Sequence, residues 1–322
     1  MKQVEAPLRF ALIGAGRWGR NIIRTIDGMT SVSLTHLCSR NPESRALVPE
    51  NCTISNSWRE LLDARQLDGV IIASPPETHY EIGLAALEAG FAVFMEKPLT
   101  MSAVSARHLA KTSKKNKVPL IVDHIHLFNS CHQKVKTLSQ EFGGCTGLVS
   151  QGGNWGPFRR YPPLWEWGPH DISLALDLLG LNVSVTSAQR TVHDDTHGGP
   201  GEIYKVVLNT ADGCEAVCTF GNLMREKKRF LKVKCRTGTI FVDDLSSTPL
   251  SIETSEGRFH ISVSMTSPLE NALAHFANTI RNPLKFLDEI DLGVHVVELL
   301  ERIEKMAFDN TVAPSVGQHS AP

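Results

Sequence analysis

The sequence predicts an α/β fold: a Rossmann-type domain with a parallel sheet, followed by an α+β domain with a mostly antiparallel, open-faced sheet. In residues 1–122, short apolar runs alternate with helical patterns, as expected for strands joined by helical crossovers. Residues 123–322 contain several strand patterns with hairpin turns, closed by two helices. A chain of 322 residues also exceeds one ordinary hydrophobic core, which indicates two domains.

The first domain contains five apolar runs short enough to be strands buried on both faces. These strand candidates are residues 10–13, 32–38, 70–73, 91–95 and 120–122. Between them, apolar residues recur at the helical spacing of three to four, which predicts the connecting helices. The helix candidates are residues 17–29, 57–62, 79–89 and 102–115.

The second domain changes to strands that follow one another directly. The strand candidates are residues 148–151, 183–190, 203–208, 215–220, 230–235 and 239–242. Asp212-Gly213 and Thr237-Gly238 supply hairpin turns, and residues 269–280 and 292–306 supply the closing helices. If the bare face of this sheet is as apolar as Val206, Leu208 and Val217 indicate, the chain forms a homodimer or homotetramer through it.

Composition excludes several classes of partner. With 33 basic and 34 acidic residues the formal net charge is -1, so no long-range field attracts nucleic acid or anionic lipid. No apolar run approaches the roughly 20 residues that a membrane span needs. Residues 1–9 have no apolar core of a signal peptide. The seven cysteines lack a CxxC pair, which fits a reducing compartment, and a cytoplasmic protein is expected.

A glycine-rich bend follows the first strand and opens a helix. It reads Gly14-Ala15-Gly16-Arg17-Trp18-Gly19, the spacing of a dinucleotide-binding fingerprint in its expected context. The first glycine permits a tight turn, the second lets the backbone approach a pyrophosphate, and the third allows close helix packing. Unpaired N–H groups at the helix N-terminus favour phosphate. We therefore expect Gly14, Gly16, Arg17, Trp18 and Gly19 to contact the cofactor.

The end of the second strand bears on the choice between NADP and NAD. NAD-binding folds usually place an acidic residue there, to bond the ribose 2′-hydroxyl. This sequence instead has Ser39 and Arg40, which are suited to bond a 2′-phosphate. The pattern favours NADP over NAD, and the alternative is that Arg40 is a solvated loop cation.

Two further motifs lie at the carboxyl edge of the predicted sheet, where ligands bind in such folds. Residues 74–79 read Ser-Pro-Pro-Glu-Thr-His, and Glu96-Lys97-Pro98 follows the strand at 91–95. Together with the glycine bend, these motifs resemble the glucose–fructose oxidoreductase/inositol dehydrogenase (Gfo/Idh/MocA) family over nearly the whole chain. The Glu-Lys-Pro motif is the most specific part of the resemblance.

The resemblance implies roles for the residues of both motifs. Lys97 is expected beside the nicotinamide and the reacting carbon. Glu96 is expected to bond the nicotinamide ribose. Ser74, Pro75 and His79 are expected to contact the cofactor.

The family also carries an Asp-x-x-x-His motif in its second domain, whose histidine is the usual acid/base. Here His170 matches the histidine, while Glu166 replaces the aspartate. Imidazole titrates near neutral pH and suits a base, and Lys97 would stabilise the developing alkoxide. Pro169 fits the first position of a helix, and a helix N-terminus would keep His170 neutral. Glu166 either orients His170 or bonds a neighbouring hydroxyl.

Aromatic and basic residues near this motif are candidates for substrate binding. Trp155 and Trp167 either pack on a sugar ring or belong to ordinary core. Arg159 and Arg160 either meet a substrate phosphate or carboxylate, or face water. His124 lies in a stretch that is similar to the entry to the second domain in family members linked to nucleotide-sugar metabolism.

The segment 193–199 is rich in histidine and aspartate, as metal sites are. It lacks a fixed helical spacing between its candidate ligands. We therefore predict a loop, and no metal site in this chain.

The leading hypothesis is an NADP- or NAD-dependent oxidoreductase that interconverts a secondary alcohol and a ketone on a sugar, polyol or sugar nucleotide. One alternative keeps the fold but reduces a non-sugar carbonyl or imine without using His170. A second alternative is a non-catalytic dinucleotide-binding regulator, for which neither Lys97 nor His170 is needed.

Overall fold

The computed structural model describes residues 6–64, 66–264 and 266–309, which form two sheets and their covering helices. Residues 1–5 lie outside the described residues. They include most of the segment in which no signal peptide is expected. The predicted fold class is confirmed: a parallel six-stranded sheet precedes a mostly antiparallel eight-stranded one.

The first sheet is built from strands of three to seven residues. They are β1 (Leu8–Ile13), β2 (Val32–Cys38), β3 (Thr53–Ser55), β4 (Gly69–Ile72), β5 (Ala92–Glu96) and β6 (Leu120–Asp123). The connecting helices are α1 (Arg17–Asp27), α2 (Trp58–Leu62), α3 (His79–Glu88) and α4 (Ala103–Asn116). The spatial order β3-β2-β1-β4-β5-β6 is that of a Rossmann fold. Within this sheet, only the three-residue edge strand β3 was not predicted from the sequence.

The second sheet contains longer strands, several of which extend beyond their apolar centres. They are β7 (Cys145–Trp155), β8 (Val183–Thr196), β9 (Gly199–Thr210), β10 (Glu215–Gly221), β11 (Leu223–Cys235), β12 (Thr239–Asp243), β13 (Leu250–Thr254) and β14 (Gly257–His260). Their order is β14-β13-β12-β11-β7-β10-β9-β8, and only β7 and β10 pair in parallel within this described sheet.

The described part of the second domain contains four α-helices: α5 (Ser130–Glu141), α6 (Pro163–Leu179), α7 (Pro268–Arg281) and α8 (Ile290–Asp309). The sequence analysis did not predict α5, which begins where the Asn129 side chain accepts a hydrogen bond from the Cys131 N–H at 2.8 Å. None of the helices in the described ranges is long and apolar enough to span a membrane.

The prediction that Val206 and Leu208 lie on the bare face of the second sheet was wrong. Both side chains are fully buried, and they pair with the buried Cys218 and Ala216 of β10 on the face that packs against α6 and α8. Side chains alternate between the faces of a strand. Val217, one residue out of phase, therefore lies on the opposite face and is only partly buried.

The prediction of a loop over residues 193–199 was also wrong. β8 continues to Thr196 and β9 begins at Gly199, so only His197 and Gly198 remain as a turn. β8 is an edge strand, and exposed polar side chains are common on such strands. The polar composition that suggested a loop is thus compatible with cross-strand pairing.

Helices from the end of the chain pack back onto the first sheet. Phe276 of α7 contacts Phe10 and Phe94, with ring centroids 5.2 and 5.5 Å apart. A Cβ added at Gly293 of α8 would lie 2.7 Å from the side chain of Val122 in β6. Packing this close fixes the second sheet relative to the carboxyl edge of the first, where the site lies.

Candidate active site

The glycine bend between β1 and α1 has the shape of a phosphate cradle. Gly14 has a φ of +104°, and a Cβ there would lie 2.6 Å from the carbonyl oxygen of Ala73. A Cβ at Gly19 would collide with the Gly14 carbonyl. By contrast, no atom lies within 4 Å of the Cβ position at Gly16, and Arg17 beside it is exposed. The bend is open on the side where a pyrophosphate would lie, so these residues fit a dinucleotide.

The end of β2 presents hydroxyl and guanidinium groups. The Ser39 hydroxyl is 2.7 Å from the Ser44 hydroxyl, and the exposed Arg40 follows it. Glu60 is a carboxylate in this region, but it accepts a hydrogen bond from the Ser55 hydroxyl at 2.6 Å. No acidic side chain therefore occupies the position directly after β2.

His79 ties two loops together at the carboxyl edge of the sheet. Its Nδ1 lies 2.8 Å from the Pro98 carbonyl oxygen and its Nε2 lies 3.0 Å from that of Ser74. The ring is fully buried. Although a cofactor contact was predicted for His79, both ring nitrogens are occupied by backbone. Ser74 and Pro75 also lie at the carboxyl edge of the sheet. The Ser74 hydroxyl is 2.7 Å from the Thr78 hydroxyl.

Glu96 and Asp123 form a buried carboxyl pair at the ends of β5 and β6. They are register partners, and the Trp18 indole N–H donates to Asp123 Oδ2 at 3.3 Å. Glu96 Oε1 and Asp123 Oδ1 have no hydrogen-bond partner among the described residues. Burial, reinforced by Asp123, raises the pKa of Glu96 well above its usual range, and burial raises the pKa of Asp123 to about 7. The pair therefore retains a proton near neutral pH.

Lys97 connects the first domain to α6. Its Nζ donates a hydrogen bond to the carbonyl oxygen of Glu166 at 2.7 Å. Burial lowers the pKa of Lys97, against the opposing effect of the nearby Glu166 and Glu96 carboxyl groups. The amine is thus held at the junction of both domains.

His170 lies inside α6, and the prediction that Pro169 occupies the first position of its helix was wrong. The helix begins at Pro163, so Pro169 is an interior residue. Neutrality of His170 was attributed to a helix N-terminus, but its cause is burial, which lowers the pKa of His170 well below the usual value. The positive charge of Lys97 is the next largest cause of this lowered pKa.

The Glu166 carboxylate pairs with a neighbouring cation. Its Oε1 lies 3.1 Å from Arg159 Nε, and Arg159 Nη1 also donates to the Tyr161 hydroxyl at 3.2 Å. The role of Glu166 in orienting His170 stays a prediction. Arg159, predicted to meet a substrate anion or water, instead balances this carboxylate. Arg160 is exposed.

Two further histidines, His124 and His126, follow directly after β6. The His124 side chain is 3% exposed, and neither of its ring nitrogens has a partner in the described chain. The His126 ring meets the His170 ring edge-on, with centroids 4.8 Å apart. Burial lowers the pKa of both His124 and His126 to about 3, so both rings are uncharged near neutral pH.

A cavity extends from His170 between the helices and the second sheet. Its lining includes His126, His132, Asp171, Arg229 and Asp244. The sequence analysis assigned no role to any of the five, because they come from separate elements of the second domain. Arg229 in particular follows a basic run of β11 and has no distinguishing local pattern.

The predicted tryptophans occupy different places. Trp167 is nearly buried, and the Arg229 guanidinium stacks over its ring at 4.8 Å. Trp155 is 56% exposed and its ring packs edge-on against Phe158. Trp155 is not among the residues that line the cavity. The described segments contain no group of three or more His, Cys, Asp or Glu residues placed to hold a metal ion.

A Rossmann-type parallel sheet with a glycine bend that fits a dinucleotide defines an oxidoreductase of the Rossmann fold. Residues 8–124 match the family described as GFO_IDH_MocA, oxidoreductase family, NAD-binding Rossmann fold. A crystal structure from Magnetospirillum magnetotacticum MS-1, described only as an oxidoreductase, is 37% identical. The alignment covers 92% of this chain and 99% of that one, with a TM-score of 0.86. The chain belongs to the Gfo/Idh/MocA family, as its Glu-Lys-Pro motif predicted.

Other relatives have more specific names. The inositol 2-dehydrogenase of Rhizobium meliloti (strain 1021) is 24% identical over 78% of this chain and 80% of its own length. The 3-ketoreductase of Actinomadura kijaniata, solved with NADP and TDP-benzene, is 18% identical with a TM-score of 0.79. That alignment covers 94% of this chain and 98% of the ketoreductase, and it supports the fold alone. This chain aligns with two further curated relatives over only part of each relative, 36% of the length of one and 42% of the length of the other.

Proposed function

We propose that this protein catalyses the NADP- or NAD-dependent interconversion of a secondary alcohol and a ketone on a sugar, polyol or sugar nucleotide. The hydrogen bond between Lys97 Nζ and the Glu166 carbonyl carries the proposal, because Glu166 lies four residues before His170 on α6. An amine from the first domain and an imidazole from the second thereby face one cleft. The names of the inositol dehydrogenase and the 3-ketoreductase support a substrate of this class.

The residues divide the chemistry of alcohol oxidation between them. Bound NADP or NAD supplies the hydride acceptor. Neutral His170 accepts the hydroxyl proton, and its lowered pKa keeps it in that form at neutral pH. The Lys97 ammonium donates to the substrate oxygen and stabilises the charge that develops there. Glu96, at the end of β5, offers its unpartnered Oε1 to the nicotinamide ribose.

NADP is the favoured cofactor in this proposal. Ser39 and the exposed Arg40 at the end of β2 provide hydroxyl and guanidinium donors for a 2′-phosphate. The NADP bound to the 3-ketoreductase of the same fold is consistent with this choice.

The function is tested with one alcohol of each class: myo-inositol, methyl β-D-glucoside and UDP-N-acetylglucosamine. Each is incubated with the protein and either cofactor, and absorbance of the reduced nicotinamide is followed. We expect turnover with one of them, reduced by about 10²-fold or more in Lys97→Met. Turnover that is unchanged in Lys97→Met rejects the mechanism. Turnover that requires Lys97 but not His170 removes His170 from the proposed mechanism. Cofactor binding without any turnover supports a regulator.

A further inference from the structure

His132, in the first turn of α5, is a second buried histidine of the cavity, and the chemistry proposed above does not use it. Its side chain is 4% exposed, and its Nε2 lies 2.7 Å from Asp177 Oδ2 on α6. The other oxygen of Asp177 accepts a hydrogen bond from Lys136 Nζ at 2.8 Å. Although burial alone would raise the pKa of Asp177, hydrogen bonds from His132 and Lys136 outweigh it and lower the pKa. The carboxylate is therefore ionised.

The ionised carboxylate fixes the tautomer of His132. An ionised carboxylate only accepts hydrogen bonds, so His132 Nε2 carries the proton that it donates to Asp177. In the neutral ring Nδ1 then carries a lone pair and acts as an acceptor.

This acceptor has no donor in the described protein. His132 Nδ1 is buried and makes no hydrogen bond within residues 6–64, 66–264 and 266–309. A buried polar atom without a partner is costly, so its retention calls for an explanation. His132 lines the cavity that also contains His170, whereas Asp177 does not line it. The ring nitrogen that Asp177 leaves unused is thus the one available to a ligand in the cavity.

We propose that His132 Nδ1 accepts a hydrogen bond from a substrate hydroxyl other than the one that reacts, with Asp177 and Lys136 as positioning residues. This inference rests on the function proposed above and deepens it, because it makes a second hydroxyl a requirement of the substrate. An analogue without that hydroxyl leaves His132 Nδ1 unpaired in the complex. A site built around a substrate hydroxyl rejects the analogue that lacks it.

The test uses the alcohol that is turned over and its series of monodeoxy analogues, for example the monodeoxy forms of myo-inositol. For the wild-type protein we expect one analogue to lose about 100-fold or more in kcat/KM. In His132→Phe the native alcohol and that analogue should be used almost equally, because the acceptor is gone. In His132→Asn, whose amide oxygen lies near the position of Nδ1, part of the discrimination should return.

A matched control is His275→Phe. His275 Nε2 has the same contact with a carboxylate, Glu289 Oε2 at 2.7 Å, but His275 is not part of the cavity lining. This variant should discriminate between the alcohols as the wild type does. Equal discrimination in His132→Phe and the wild type overturns the inference while leaving the proposed function intact. If no alcohol is turned over, the proposed function fails and the inference fails with it.

The tautomer is measured independently by ¹⁵N NMR of the histidine rings. We expect the free protein to show His132 with a protonated Nε2 and an unprotonated Nδ1. In Asp177→Asn, which offers both an amide donor and an acceptor, the preference for this tautomer should weaken. A protonated Nδ1 in the wild-type protein contradicts the inference regardless of any turnover result.

Discussion

Lys97 Nζ lies 2.7 Å from the carbonyl oxygen of Glu166, although the two residues belong to different domains. The contact uses the backbone of Glu166, while the Glu166 carboxylate turns to Arg159. The backbone and the side chain of Glu166 therefore have different partners, which the sequence motif alone does not distinguish. The amine is positioned by the helix itself, and the acidic side chain balances a neighbouring cation.

The first prediction concerns Glu166. Because Lys97 bonds the main chain of Glu166 and the Glu166 carboxylate pairs with Arg159, Glu166→Gln should lower kcat by no more than about tenfold. Lys97→Met should lower it by about 10²-fold or more, since it removes a charge at the reacting oxygen. Steady-state kinetics of both variants, with Arg159→Gln as the control for the ion pair, measure the difference. A loss in Glu166→Gln as large as that in His170→Asn would show that the carboxylate orients the imidazole.

The second prediction concerns the pH dependence of alcohol oxidation. Burial lowers the pKa of His170, so the neutral base persists below pH 6.5 and the acid limb of kcat/KM should lie below that pH. Burial also lowers the pKa of Lys97, so any alkaline limb from loss of its charge should lie below pH 10.5. A pH profile of kcat/KM checks both limbs. If kcat/KM has an acid limb at or above pH 6.5, and this limb persists in His170→Asn, the assignment of His170 as the base is contradicted.

The third prediction concerns cofactor choice. If Arg40 bonds the 2′-phosphate, Arg40→Ala should raise the Kd for NADP by roughly 10- to 100-fold, the worth of a charged hydrogen bond. The Kd for NAD should stay within about threefold, because NAD lacks that phosphate. Lys115→Ala removes an exposed cation on α4 and serves as the control. Equal losses for NADP and NAD would show that Arg40 is a solvated loop cation.

The fourth prediction concerns the buried pair of Glu96 and Asp123. A carboxyl group whose pKa is raised on folding binds more protons in the folded state, so stability falls as pH rises from its unfolded value towards its folded one. For Asp123 this window runs from about pH 4 to about pH 7. Asp123→Asn keeps an acceptor for Trp18 but removes the titration. We expect its free energy of unfolding, relative to wild type, to improve by about 1–3 kcal/mol between pH 5 and pH 8.

Denaturant unfolding at both pH values measures this change. Thr279→Val, at a buried residue whose hydroxyl donates to the Phe276 carbonyl oxygen at 2.7 Å, controls for general loss of a polar contact. A difference between Asp123→Asn and wild type that is the same at pH 5 and pH 8 would mean that the pair does not hold a proton.

The sequence was sufficient to predict the first domain because its signals are local. Continuous apolar strands such as β1, and glycines with a defined conformational task such as Gly14, depend on few distant contacts. The second domain was harder to predict. The two faces of β9 both contain valine, so only the pairing with β10 shows that Val206 is covered and Val207 is not. In α6, Pro163 and Pro169 both fit a helix start, and packing rather than propensity decides between them.

The candidate site shows the same limit. Lys97 and His170 belong to recognisable motifs and were predicted. Asp123, His132 and Arg229 have no local signal, because their environments arise from strands and helices far apart in the chain. The direction of a side chain is equally non-local: Glu166 turns to Arg159 because α6 and the preceding segment bring them together.

The central claim is that Lys97 and His170 act on the same reacting carbon. It is tested most directly by a double-mutant cycle on the rate of hydride transfer, with Lys97→Met, His170→Asn and the double variant in single-turnover experiments. Each single variant should lose about 10²- to 10⁴-fold. Residues that act as a unit are not additive, so we expect the double variant to lose little more than the worse single variant. Losses that multiply in the double variant would contradict the claim and place the two side chains in independent roles.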